Sequence, residues 1–141
     1  MKLGVNTVLF KGVDVKTAMK AIKAAGYDGV ELSAIGGMCE HLVLDAWETQ
    51  APLIKAAAKE AGVELLSMEA ATLDEERLTK AFKAAQYLGI PVVNVGPGGK
   101  SDVEEDIVNS IDTLKARAAL AAQYGVKLCC KAHVGCAIYS T

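Results

Sequence analysis

Seven polar side chains in this 141-residue sequence stand where they could do chemistry: Asn6, Glu31, His41, Glu69, Asn94, Lys131 and His133. A carboxylate beside a lysine can take a proton from carbon and return one, and a lysine amine can also attack a carbonyl to form a Schiff base. Glu69 and Lys131 are therefore the candidate catalytic pair. Asn6, Glu31, His41, Asn94 and His133 are candidate substrate contacts, and none of the seven is assigned as a metal ligand. Each has a structural reading beside the functional one. The glutamates can bond neighbouring backbone, the asparagines can form turns, and the histidines can sit on carbonyl groups. Lys131 can pair with Glu69 or Glu31 for stability alone. It is the hardest of the seven to dismiss, because an inward lysine is costly without a carboxylate or an anionic ligand.

The elements that would position these residues follow from a repeat. "AIKAAGYDGVEL", "AAAKEAGVELLSM", "AFKAAQYLGIPVVNV" and "ALAAQYGVKLCC" share one order: an alanine-rich helix end, a glycine stop, a short apolar run. The stops, Gly26, Gly62, Gly89 and Gly125, lie roughly 27 to 36 residues apart, the size of one βα unit. Thr72-x-x-Glu75 and Ser101-x-x-Glu104 have the form of capping boxes, Asp14 can cap the first helix, and Pro52 marks a start or kink in the second. Val103, Ile107, Ile111, Leu114, Ala118 and Ala121 recur at helical spacing and predict one core stripe on the fourth helix. The reading is five strands, near residues 2–7, 28–33, 63–69, 91–96 and 126–133, with four helices between them in one domain over 1–141. Alternating β and α means a parallel sheet of the α/β class.

Two architectures fit. One is a flavodoxin-like doubly wound open sheet; the other is half of a (β/α)8 TIM barrel, whose full form needs about 250 residues. Central strands of a doubly wound sheet are covered on both faces and are apolar throughout. These strands alternate. Leu3 and Val5 oppose Gly4 and Asn6; Val30 and Leu32 oppose Gly29, Glu31 and Ser33; Leu66 and Met68 oppose Leu65, Ser67 and Glu69; Leu128, Cys130 and Ala132 oppose Cys129, Lys131 and His133. One face is apolar, and the other turns small and polar toward each strand's C-terminal end. That profile favours the half-barrel, with its site at the C-terminal mouth.

Other features exclude more than they suggest. "NVGPGGKSD" follows a strand and precedes a helix, but Asn94 stands where a phosphate loop needs glycine, leaving at most an anion site on backbone amides. Cys130-x2-His133-x2-Cys136 has zinc-like spacing, yet strand alternation sends Cys130 and His133 to opposite faces. Neighbouring Cys129 and Cys130 also point apart, which suits reduced thiols in a cytoplasmic protein. The formal charge of −2 is spread along the chain without a basic stripe, so no nucleic-acid partner is expected. Neither a secretion signal nor a span-length apolar run is present, so no membrane partner is expected.

"YDGVELS", "GVELLSMEA", "GIPVVNVGPG" and "YGVKLCCKAHVG" resemble, in order and spacing, the first half of the xylose isomerase-like barrels, a superfamily of sugar and sugar-phosphate isomerases and epimerases with an endonuclease IV branch. The resemblance implies isomerisation or epimerisation of a small hydroxy-carbonyl compound, assisted by a divalent Mn, Mg, Co or Zn ion acting as Lewis acid. It implies metal ligands at the ends of strands five to eight: a glutamate, an aspartate, a histidine and a glutamate. The first of these usually stands two residues before a histidine. Aligned on His133, that position holds Lys131, a cation in place of the carboxylate. The endonuclease branch implies early metal-binding histidines, which these registers lack.

Three functional readings follow. The first is the N-terminal half of a sugar (phosphate) isomerase- or epimerase-like barrel, inactive alone, which would meet its small sugar substrate once joined to a C-terminal half. The second is a structural half-barrel that hides its edges in a homo-oligomer. The third is a doubly wound anion-binding domain using "GPGGK".

Overall fold

A computed structural model describes residues 1–140. Its elements run β1 (Gly4–Asn6), a 3-10 turn (Thr7–Phe10), α1 (Val15–Ala24), β2 (Gly29–Ile35), β3 (Cys39–Glu40), a second 3-10 turn (Leu44–Ala46), α2 (Trp47–Ala61), β4 (Glu64–Glu69), α3 (Glu75–Leu88), β5 (Val92–Val95), α4 (Glu104–Ala122) and β6 (Lys127–Cys130). Five strands form a parallel sheet in the order β1-β2-β4-β5-β6, and the two-residue β3 pairs antiparallel with β2. Each long strand lies beside its predecessor, so right-handed crossovers all advance in one direction and place the helices on one face. The helices pack in series, α1 on α2, α2 on α3 and α3 on α4. A flavodoxin-like sheet reverses direction after its first crossover. The doubly wound alternative is therefore excluded, and the fold is a partial (β/α) barrel.

The local signals held at most helix ends and failed at two starts. Asp14 caps α1, accepting from the Thr17 amide at 3.0 Å, and hydrogen bonds from Thr17 hold its carboxyl below the usual carboxylate range. Gly62 and Gly89 close α2 and α3 in the left-handed conformation that a Cβ would disfavour, their amides returning to the last turn. The expected boxes at Thr72 and Ser101 are not the caps. Asp74 caps α3 through the Arg77 amide, with Thr72 Oγ1 accepting from the Asp74 amide, and α4 starts after Val103 without a side-chain cap. Helix α2 begins at Trp47, ahead of Pro52, which lies inside it.

The core fills the space between the sheet and α1–α3, where Ile22, Leu32, Ile54, Met68, Leu78, Phe82 and Val93 are buried. A register shift in β4 changes one expected face. Val30 pairs with Leu65 but Glu31 pairs with Ser67, so Leu66 is an extra residue in the ladder. Leu65 packs against the helix-side core, while Leu66 lies on the inner face over Gly4 and Gly29. A Cβ on Gly29 would stand 2.6 Å from Leu66 Cγ, so the glycines make room for that side chain.

The predicted stripe of α4 is also corrected: of its six residues only Ala121 is buried, while Val103 and Ile111 are exposed. Helix α4 has α3 on one flank and, among the described residues, no helix on the other. Strand β6 stops at Cys130 rather than 133; the Lys131 amide still reaches Val95 O at 2.9 Å before the chain turns.

Candidate functional site

The site grows from Asn6 at the end of β1. Its extended backbone makes it the cap of the following 3-10 turn, and Oδ1 accepts from the Val8 amide at 2.8 Å. That bond fixes the carboxamide orientation and aims Nδ2 into the inner face. There Nδ2 donates to Glu31 Oε2 at 2.7 Å and to Glu69 Oε2 at 2.5 Å. Parallel pairing sets Glu31 beside Asn6 and Ser67, and Glu69 beside Ser33 and Asn94. Glu31 Oε1 accepts from Ser67 Oγ at 3.0 Å and from Asn94 Nδ2. Both its oxygens are thus bonded by neutral donors, the arrangement that holds a carboxylate in one rotamer.

Glu69 differs. Its side chain is 9% exposed, its Oε2 is bonded to Asn6, and its Oε1 forms an ion pair with Lys131 Nζ. The lysine side chain is 54% exposed, so water competes for the pair and its contribution to stability is about 1 kcal/mol or less. Lys131 is delivered by the turn just past β6, beside a cavity of about 510 Å³. Val8, Ile35, Met38, Ala71 and Leu73 supply apolar wall; Glu69, Lys131, His133 and Cys136 supply polar wall.

The structure brings together five of the seven candidates, Asn6, Glu31, Glu69, Asn94 and Lys131, in one network. His133 lines the same cavity but is exposed, its Nδ1 donating to the Val134 carbonyl at 3.0 Å. His41 lies elsewhere. Its Nε2 donates to the Val13 carbonyl at 2.9 Å, and it borders a separate depression near Lys11 and Asp14. It follows β3, whose Cys39 carbonyl is held by the buried Ser33 hydroxyl at 2.6 Å, and this hairpin carries the ring away from the strand ends. Ser67 was not singled out, although its position two residues before Glu69 put it on the same face. The cavity's apolar wall had no sequence signal, because it is gathered from three separate stretches of chain, after β1, at the end of β2 and after β4.

Two amides of the glycine-rich loop are taken by internal acceptors, that of Ser101 by the Gly135 carbonyl at 3.2 Å and that of Lys100 by a carboxylate. Gly98 and Gly99 adopt positive φ, but the Lys100 amide donates to Asp106 Oδ2 at 2.7 Å, so an internal carboxylate takes that position. A divalent metal does not fit the described residues either. No group of three His, Cys, Asp or Glu side chains among them is close enough to hold one. The oxygens of Glu31 and Glu69 already accept from amide, hydroxyl or ammonium donors, and the Lys131 ammonium on Glu69 would repel a cation there.

Comparisons with known proteins agree with this geometry. The sequence model of the xylose isomerase-like TIM barrel family matches residues 19–140. No curated protein sequence matches the chain. Among solved structures, a xylose isomerase-like TIM barrel protein from Mycobacterium smegmatis in complex with magnesium superposes with a TM-score of 0.75 at 12% identity, covering 97% of this chain and 56% of that one. A D-allulose 3-epimerase from Methylomonas sp. gives a TM-score of 0.67 at 19% identity, covering 92% and 51%. The probable 3-DHS dehydratase AsbF from Bacillus anthracis gives 0.73 at 16% identity, covering 96% and 54%. The chain spans about half the length of these structural relatives, and at such identities they share its fold. Sequential strand order, a polar inner face at the strand ends and the match over residues 19–140 have one meaning: the chain belongs to the xylose isomerase-like TIM barrel family.

Proposed function

We propose that these residues form the proton-transfer part of a site that isomerises or epimerises a small hydroxy-carbonyl compound of the sugar or sugar-phosphate class. The observation that carries this reading is the Glu69–Lys131 pair: a buried carboxylate and a half-exposed ammonium at the strand ends, opening on a cavity of sugar size. Glu69 takes the proton beside the carbonyl, and Lys131 serves the oxygen. Glu31, held by three neutral donors, presents a fixed polar floor with Asn6 and Asn94. Strands completing a barrel would close the cavity and exclude water, so turnover depends on them.

The test is exchange of carbon-bound hydrogen in heavy water, followed by NMR on a panel of ketoses and ketose phosphates. The chain is assayed alone and mixed with a segment that supplies the remaining barrel strands. Exchange in the mixture, lost in Glu69→Gln and Lys131→Met, is the expected result. A stable, folded assembly that exchanges no hydrogen overturns the reading.

The open sheet favours a second reading. Strands β1 and β6 each have one neighbour, and α4 leaves Val108 and Ile111 exposed. A second copy of the chain would cover these surfaces, making self-assembly the role of the partial barrel.

A further inference from the structure

We propose that the Lys131 ammonium supplies the positive charge of this site in place of a divalent metal ion, and that the proton-transfer chemistry proposed above runs without one. The inference rests on that reading for the chemistry, but the charge assignment stands on geometry. A divalent ion needs carboxylate oxygens at about 2.0–2.2 Å and no ammonium among its near neighbours. Here Asn6 Nδ2 bridges Glu31 and Glu69, Ser67 and Asn94 take the other oxygen of Glu31, and Lys131 takes the other oxygen of Glu69. The donors therefore form one connected set with a single cation at its open end, where the cavity begins.

An ammonium has three N–H donors, and one is spent on Glu69. The side chain is half exposed, so the other two serve the cavity or solvent. A carbonyl oxygen placed against them would gain negative charge next to a fixed cation in a partly dry wall, the condition under which such stabilisation is large. In the step itself, the C–H bond beside the carbonyl breaks and its proton passes to the Glu69 carboxylate. The C–H electron pair forms the carbon–carbon double bond, and the carbonyl π pair moves to the oxygen facing Lys131. Glu69 then gives the proton to the former carbonyl carbon while the neighbouring hydroxyl proton passes to the oxygen at Lys131, which moves the carbonyl by one carbon and leaves the residues as they began. No oxidant, reductant or metal enters the balance.

Mn2+ binding to the purified chain, read by electron paramagnetic resonance, tests the charge assignment without substrate. The probe is Mn2+ alone, titrated into wild type, Lys131→Glu and Lys131→Met, with circular dichroism confirming the fold of each. Wild type should show no stoichiometric binding. Lys131→Glu, which turns the cation into a second carboxylate beside Glu69, should bind one Mn2+ at least tenfold more tightly than either of the others. The proposal is overturned if wild type binds Mn2+ as tightly as folded Lys131→Glu, or if folded Lys131→Glu gains nothing. Failure of hydrogen exchange in a wild type that takes no Mn2+ would instead remove the proton-transfer reading and leave the charge assignment standing.

Discussion

Along β2 and β4, polar groups are bonded to their neighbours and Val30, Leu32 and Met68 are covered; at the β6–α4 end the same kinds of residue are left in the open. Glu31 has three donors, and Leu32 and Met68 beside it are fully buried. Cys129 and Cys130 on β6 are exposed, and α4 buries only Ser110 and Ala121 along its whole length. The difference teaches that the site is asymmetric. Its carboxylates stand on β2 and β4, each paired on both sides, whereas its lysine arrives from beyond β6, an edge strand with one neighbour, as is the β1 that supplies Asn6. Preorganisation comes from the first region, and adaptability from the second.

The comparison can be broken most strongly at Phe82, which is fully buried where α3 meets the sheet. Phe82→Ala should cost about 3–5 kcal/mol in urea unfolding, by lost transfer energy and a residual cavity. A cost under about 1 kcal/mol would mean that the helix layer is looser than its packing implies.

A smaller effect is expected at Gly29, where an added Cβ would meet the Glu64 carbonyl oxygen at 2.5 Å and Leu66 Cγ at 2.6 Å. Gly29→Ala should destabilise by about 1–3 kcal/mol, since backbone must move as well as a side chain. It should also disturb the bulge that turns Leu66 inward, readable as broadened Glu31 and Ser67 amide signals by NMR. Neutral behaviour at this position would argue against the close approach of β2 and β4.

The smallest change in stability belongs to the open end. Ile111→Glu should alter unfolding by no more than about 0.5 kcal/mol, because the residue is 41% exposed. Its effect on assembly is the sharper measurement. If a second copy covers α4, light scattering after gel filtration should find wild type as an oligomer and Ile111→Glu as a smaller species. A monomeric wild type removes the self-assembly reading and leaves the open end for other barrel strands.

Much of the site was legible because two simple periods coincide. Side chains alternate along a strand, and parallel strands in sequential order bring equivalent ends together, so Asn6, Glu31, Glu69 and Asn94 had to share a face. Leu66 was illegible, since nothing local distinguishes a bulge in "VELLSM" from regular alternation. His41 was illegible because a two-residue antiparallel strand redirected the loop that carries it. The stripe on α4 was legible as a pattern but not as burial, which depends on neighbours and not on the helix itself.

By itself, then, the sequence determined the βα repeat, the glycine helix stops and the polarity of the inner face, because these depend on backbone preferences and short periods. Only the tertiary structure decided the barrel direction of the crossovers, the bridging of Glu31 and Glu69 by one amide, and the pairing of Lys131 with Glu69 in preference to Glu31. The Asn6–Glu69 and Lys131–Glu69 contacts join residues more than sixty positions apart, whose distances are set by the twist and register of the whole sheet.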